Sequence, residues 1–313
     1  MRLLVTRRQT ATVEAAIAAE FDAEFRHDPT PFSVADARAA MAGYDLILPT
    51  LGDAFRAEAF EGTLRCKLLA NFGVGYNHID VAAARAAGIA VTNTPGAVTD
   101  ATADIAMTLI LMSARRAAEG ERLVRSGQWT GWQPTQMLGL HVSGKRVGII
   151  GMGRIGKAIA KRCHFGFGME VVFCNRSPVA EPGCPATQVS FAEALKADIV
   201  VIAVPATAQT HHLIDAGALA QMQPHAHLIN IARGDILQET DLIACLQAGG
   251  IAGAGLDVYE FEPRVPKALI GLDNVTLLPH LGTAAEEVRT AMGMMALDNL
   301  RAFRDGNPPP NLL

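Results

Sequence analysis

Three polar residues each stand a few positions beyond an apolar run. Arg233 follows His227–Ile231, Glu262 follows Ala252–Val258, and His280 follows Val275–Leu278. Their types suit chemistry at a carbonyl carbon beside a carboxylate. A guanidinium can grip both carboxylate oxygens and polarise the adjacent carbonyl. Hydride arriving at that carbon leaves an alkoxide, and an imidazole, which titrates near neutrality, can supply the proton. A neighbouring carboxylate favours the imidazolium and orients its ring. Singly, these are a surface arginine, a loop glutamate and a capping or core histidine. Jointly they mark a site, because open α/β sheets bind ligands outside the carboxyl ends of their strands.

A second feature is Gly151-Met152-Gly153-Arg154-Ile155-Gly156. Such glycine spacing is common in turns. Here an apolar run, Arg146–Ile150, ends at the first glycine, and a helical pattern, Ile155–Cys163, starts inside the motif. That context is what a dinucleotide fingerprint requires. Gly151 permits the turn, Gly153 admits a pyrophosphate, and Gly156 lets helix pack on strand. Amides at the helix start, including those of Arg154 and Ile155, then face the anion. The next run, Glu170–Cys174, is followed by Asn175-Arg176-Ser177 and no acid. An NAD site would place Asp or Glu there on the ribose 2′-hydroxyl. A guanidinium at Arg176 suits a 2′-phosphate instead. The residues favour NADP(H), with NAD(H) as the alternative.

These positions need a scaffold of strands alternating with helices. Leu3–Thr6, Leu46–Leu48, Leu68–Ala70 and Ala90–Thr92 read as short strands, with a helix over Thr12–Glu20. A long helix is expected from about Thr99 to Arg116, capped by Thr99 or Asp100. Arg146–Ile150, Glu170–Cys174, Asp198–Val204, His227–Ile231, Ala252–Val258 and Val275–Leu278 form a second series of strands. Their continuous apolar character fits burial on both faces. A last helix, Ala284 to Phe303, stops near Gly306, before the proline-rich stretch Pro308–Pro310. The fold class is α/β, two parallel sheets with helical crossovers.

The remaining composition excludes more than it specifies. A chain of 313 residues can form two cores. A formal net charge of −4 gives no reason to expect nucleic acid or an anionic membrane. No apolar run reaches the roughly 18 residues of a membrane span, and the start lacks a secretory pattern, so a cytoplasmic location is expected. Cys66, Cys163, Cys174, Cys184 and Cys245 are scattered and odd in number, which fits reduced thiols rather than disulfides or zinc. His211, His212, His225 and His227 have no ligand spacing, and no metal site is expected.

In order along the chain, Asn71–Asp80, Thr94-Pro95-Gly96, Thr99–Asp104, Gly148–Gly156, Asn230–Asp235, Gly255–Pro263 and Leu278–Thr283 resemble the motifs of the D-isomer-specific 2-hydroxyacid dehydrogenases, in particular the glyoxylate/hydroxypyruvate reductase branch. The resemblance spans nearly the whole chain. It implies a flavodoxin-like substrate domain, 1–97 plus 285–313, and an inserted Rossmann dinucleotide domain, 98–284, with a cleft that closes on ligand. Arg233, Glu262 and His280 would be the catalytic triad, with Glu260 passed over as the acid. The backbone at Val74 and Gly75 would hold the substrate carboxylate, and Leu51-Gly52 would line the pocket for the 2-substituent. Thr102, Val204, Pro205, Ile231, Asp257 and Gly282 would approach the cofactor or the reacting centre. His78 reads as structural. Trp132, in Gly127–Trp132, would reach the partner's site in a homodimer; packing within a dimer arm is the competing role. The implied reaction is NADPH-dependent reduction of glyoxylate or hydroxypyruvate to the 2-hydroxy acid, of D configuration where chiral. Two alternatives stand: an NAD-dependent dehydrogenase for a larger 2-hydroxy acid, and a non-enzymatic NAD(P)-sensing protein on the same fold.

Overall fold

The computed structural model describes residues 1–313, which divide into two compact units. Met1–Val98 and Ala284–Leu313 form the first, and Thr99–Thr283 the second. In the first, five parallel strands, β1 (Arg2–Val5), β2 (Asp22–Phe25), β3 (Leu46–Leu48), β4 (Leu68–Ala70) and β5 (Ala90–Thr92), lie in the order β2-β1-β3-β4-β5. This is the flavodoxin-like doubly wound arrangement. Helices Ala11–Glu20 and Glu286–Arg304 cover one face, burying Val13, Ile17, Ala296, Leu297 and Leu300 against β1, β3 and β4. Glu20 pairs with Arg301 and Arg304 and ties the two helices together. Helix Val34–Gly43 lies on the other face and is opened by a reciprocal capping box between Ser33 and Asp36.

The second unit holds seven parallel strands: β6 (Arg146–Ile150), β7 (Glu170–Cys174), β8 (Thr187–Gln188), β9 (Ile199–Ile202), β10 (His227–Asn230), β11 (Gly253–Leu256) and β12 (Val275–Leu277). Their order is β12-β11-β10-β9-β6-β7-β8. The order reverses between β6 and β9, the switch point of a Rossmann sheet. Every residue of β9, β10 and β11 is buried, as expected of strands covered on both faces.

Several boundaries differ from the sequence expectation. The helix starting at Thr99 ends at Ala114, and it already contains Thr99 and Asp100, so neither caps it. Arg116 takes a left-handed backbone (φ 53°), which breaks the helix and starts another, Ala117–Arg125, with no buried residue. β2 shows no apolar run because it is an edge strand with alternating exposure. The strands expected over 198–204 and 252–258 end at Ile202 and Leu256, where the chain passes into loops. The proline-rich tail is docked: Leu312 bridges Thr92, and the Leu313 amide donates to the Val91 carbonyl at 3.0 Å.

At the opposite end of the second sheet, His227 is 5% exposed, with Nδ1 2.8 Å from Ser113 Oγ. Burial, and secondarily the charge of His225, pushes its imidazole from the ordinary 6.5 down to about 4. Between these values the unfolded chain binds a proton that the folded chain does not. The contribution is therefore complete above pH 6.5 and is lost as pH falls through the window, by roughly 2 kcal/mol from pH 7 to pH 5. In His227→Gln the urea midpoint is expected to change less over this interval than in the parent. Equal sensitivity in both proteins would place the acid-labile group elsewhere.

Candidate active site

The carboxyl ends of β6 to β12 carry most of the second unit's site residues. After Ile150 the chain turns at Gly151, whose φ is 104° and where a Cβ would sit 2.7 Å from the Ala203 carbonyl oxygen. The Gly151 amide donates to Cys174 O at 2.9 Å, and the Met152 amide donates to Asn175 Oδ1 at 3.2 Å. Asn175 Nδ2 donates to Ser177 O, so this side chain fastens the end of β7 to the glycine turn. A carboxylate there could accept from Met152 but could not donate to Ser177. Helix Arg154–Lys161 follows, with Gly153 at its N-cap and no side chain capping its first amides. No protein atom lies within 4 Å of a Cβ built on Gly153. Free amides, a positive helix end and open space above Gly153 fit a pyrophosphate. Arg176 and Ser177 are exposed, with Arg176 reaching Gln209 Oε1 at 3.5 Å. Val204 and Pro205 follow β9, and Thr210 Oγ1 donates to the Pro205 carbonyl.

Glu262 and His280 meet, with the Arg233 charge acting on Glu262, through contacts that fix their three loops. Buried Asn230 at the end of β10 accepts from the Ala232 amide and donates to the Arg233 carbonyl, shaping the arginine's turn. The Arg233 side chain donates to Ala232 O at 2.7 Å. Gly234 must be a glycine, since a Cβ there would overlap the Tyr259 carbonyl carbon at 1.8 Å. This close approach seats the arginine's turn against the loop bearing Glu262. Glu262 Oε1 accepts from the Tyr259 amide at 3.0 Å, and Oε2 lies 2.9 Å from His280 Nδ1. The Tyr259 hydroxyl donates to Leu278 O at 2.8 Å, joining the glutamate loop to the chain just before His280. Glu260 instead faces His212 at 2.7 Å, and its amide donates to buried Glu239.

Burial acts on these charges in different ways. Burial alone would raise the Glu262 carboxyl. The hydrogen bond and charge of His280, the Tyr259 amide and the Arg233 charge outweigh it and hold the group below its ordinary value. Burial lowers the Arg233 guanidinium, opposed by the negative charges of Glu262 and Asp235. Arginine remains charged regardless.

His280 has φ 54°, a left-handed conformation unusual outside glycine. Asp257 supports it. Its carbonyl accepts from the His280 amide, and its carboxylate accepts from Leu281 at 2.6 Å and Gly282 at 2.8 Å. Thr102 Oγ1 donates to Gly282 O at 3.1 Å. Asp257 and Thr102, expected near the cofactor, also anchor this loop. Both are buried, and their polar groups are engaged within the chain. Burial raises the Asp257 carboxyl, with the Leu281 amide opposing. Ile231 is buried at the end of β10. In the first unit, Leu51 is half-buried, Gly52 exposed, and Val74 and Gly75 half-buried in the loop after β4. Trp132 is 80% exposed.

Residues 107–282 match the profile of the D-isomer specific 2-hydroxyacid dehydrogenase NAD binding domain. The whole chain is 39% identical to the glyoxylate reductase of Thermococcus onnurineus (strain NA1) and covers 95% of it. The chain belongs to the D-isomer-specific 2-hydroxyacid dehydrogenases. This dehydrogenase is similar, with a TM-score of 0.93 and 38% identity over all of both chains, to the TT0316 protein from Thermus thermophilus. It is also similar to an NADPH-dependent glyoxylate/hydroxypyruvate reductase from Sinorhizobium meliloti in complex with NADP and malonate. There the TM-score is 0.89 and identity 34%, over 100% of this chain and 96% of the other. The dehydrogenase is thus an NAD(P)-dependent oxidoreductase acting on 2-hydroxy acids. No helix is long and apolar enough to cross a membrane.

Sequence reasoning missed Asn230, Tyr259 and Glu239, which hold the triad's loops. Asn230 and Tyr259 are ordinary residues inside motifs and Glu239 lies outside them; only their partners reveal their roles.

Proposed function

We propose that this dehydrogenase reduces a small 2-oxo acid, glyoxylate or hydroxypyruvate, to the 2-hydroxy acid with NADPH. The observation carrying this reading is the 2.9 Å contact between Glu262 and His280 Nδ1, next to Arg233. Bound NADPH supplies the hydride. Arg233 binds the substrate carboxylate and polarises the carbonyl. The amides of Val74 and Gly75 are the first unit's candidates for binding the substrate carboxylate. With Nδ1 committed to Glu262, His280 has Nε2 left to give a proton to the oxygen that becomes the hydroxyl. Glu262 holds the ring in place and balances its charge. The preference for NADPH rests on Asn175, whose amide both donates and accepts, and on the exposed Arg176 guanidinium beside it. The second substrate-side partner is another copy of this chain. Exposed Val124, Trp129, Trp132 and Leu138, gathered in one segment, support that dimer.

Steady-state kcat/KM with NADPH and NADH, over a panel of 2-oxo acids, tests this reading. NADPH with glyoxylate or hydroxypyruvate is expected to lead. In Arg176→Ala, NADPH is expected to lose roughly tenfold or more while NADH changes little. A tenfold advantage for NADH in the parent, or equal loss with both cofactors in the variant, overturns the cofactor assignment. Sedimentation of the same preparation as a single chain would remove Trp132 from the site.

A further inference from the structure

We propose that Asn71 and Asn93 are positioning residues that turn three consecutive backbone amides toward the substrate carboxylate. This rests on the proposed function, which assigns that carboxylate to the loop after β4. Asn71 is fully buried at the end of β4, and Asn93 is 9% exposed at the end of β5. Both therefore stand at the carboxyl edge of the first unit's sheet. Asn71 Nδ2 donates to the carbonyls of Gly73 and Gly75, each at 3.1 Å. Asn93 Nδ2 donates to the Val74 carbonyl at 3.0 Å, and the Thr94 amide donates to Gly73 at 3.1 Å. Three successive carbonyls are thus drawn toward the buried asparagines.

A trans peptide is planar, with its N–H opposite its C=O. Holding the carbonyls of Gly73, Val74 and Gly75 inward therefore turns the amides of Val74, Gly75 and Tyr76 outward. None of these amides meets an acceptor in the protein. The loop is half-buried to exposed over these positions, which leaves the unpaired amides near the surface for a small anion. Successive N–H groups aimed at one point make an anion site without a charged side chain. All three side-chain contacts end on carbonyl oxygens, so only donors can make them. Aspartate has the shape of asparagine but would present oxygen to oxygen. The donors matter here for their polarity rather than their volume.

Asn71→Asp and Asn93→Asp test this. Each is assayed for KM and kcat with glyoxylate, for the NADPH dissociation constant, and for binding of the non-reducible dianion oxalate to the enzyme–NADPH complex by calorimetry. In Asn71→Asp, KM and the oxalate dissociation constant are expected to rise together, by roughly tenfold or more. The kcat falls less, and NADPH binding is retained. Asn93→Asp, which meets one carbonyl rather than two, shows a smaller rise of the same kind and decides the matter if Asn71→Asp does not fold. Unchanged KM and oxalate binding, or equal losses in kcat and NADPH binding, overturn the inference. A parent that neither turns over glyoxylate nor binds oxalate overturns the proposed function along with it. An active parent with unaltered variants overturns the positioning role alone.

Discussion

Replacing His280 with Asn is expected to lower kcat about 10²- to 10⁴-fold, with NADPH affinity nearly unchanged. Asparagine is the informative choice because it tolerates the left-handed backbone at this position better than most residues. The loop held by Asp257 can then keep its shape, with the Leu281 and Gly282 amides still bound. What disappears is the proposed proton donor. Glu262 faces Nδ1, which leaves Nε2 as the proposed donor, and an amide group cannot stand in as an acid at neutral pH. Steady-state rates and a fluorescence titration with NADPH measure the two quantities. A kcat within tenfold of the parent would remove His280 from proton transfer. Weakened NADPH binding of the same size would show that the loop had collapsed.

Arg233→Ala is expected to raise KM and lower kcat together, for a loss of roughly 10²- to 10³-fold in kcat/KM. Truncating one member of a buried charge pair costs about 2–5 kcal/mol, which sets the scale. In the proposed reaction the guanidinium would serve two steps. It would hold the carboxylate in the bound state and oppose the charge growing on the carbonyl oxygen as the reaction proceeds. Loss of the first raises KM, and loss of the second lowers kcat. Its removal also takes positive charge from Glu262, which Arg233 helps keep ionised. Arg233→Lys retains charge without the planar fork and is expected to fall between alanine and the parent. A KM increase with kcat preserved would mean that the arginine binds the substrate but does not polarise it.

Most of the scaffold was legible because strands buried on both faces leave continuous apolar runs. β6, β9, β10 and β11 were all readable for that reason, while β2, an edge strand with alternating exposure, was not. The split at Arg116 escaped notice because a left-handed backbone at arginine carries no compositional signal. Asp257 and Thr102 show a role that spacing does not carry. Their motifs mark them as important, and the structure shows their polar groups also holding the His280 loop.

The order of residues alone determined the two series of strands, the glycine turn with its helix, and the presence of Arg233, Glu262 and His280 just past strand ends. These features are local, set by the period of apolar residues and by backbone freedom at glycine. The resemblance favoured Glu262 over Glu260, but the physical reason why one carboxylate and not the other meets the imidazole lies in tertiary packing. Glu260 and Glu262 are two residues apart, and they diverge to His212 and His280 because the turn of Gly234 abuts Tyr259 and the Tyr259 hydroxyl reaches Leu278. Hydrogen bonds between loops from different strands depend on three-dimensional distance, which spacing along a chain does not encode.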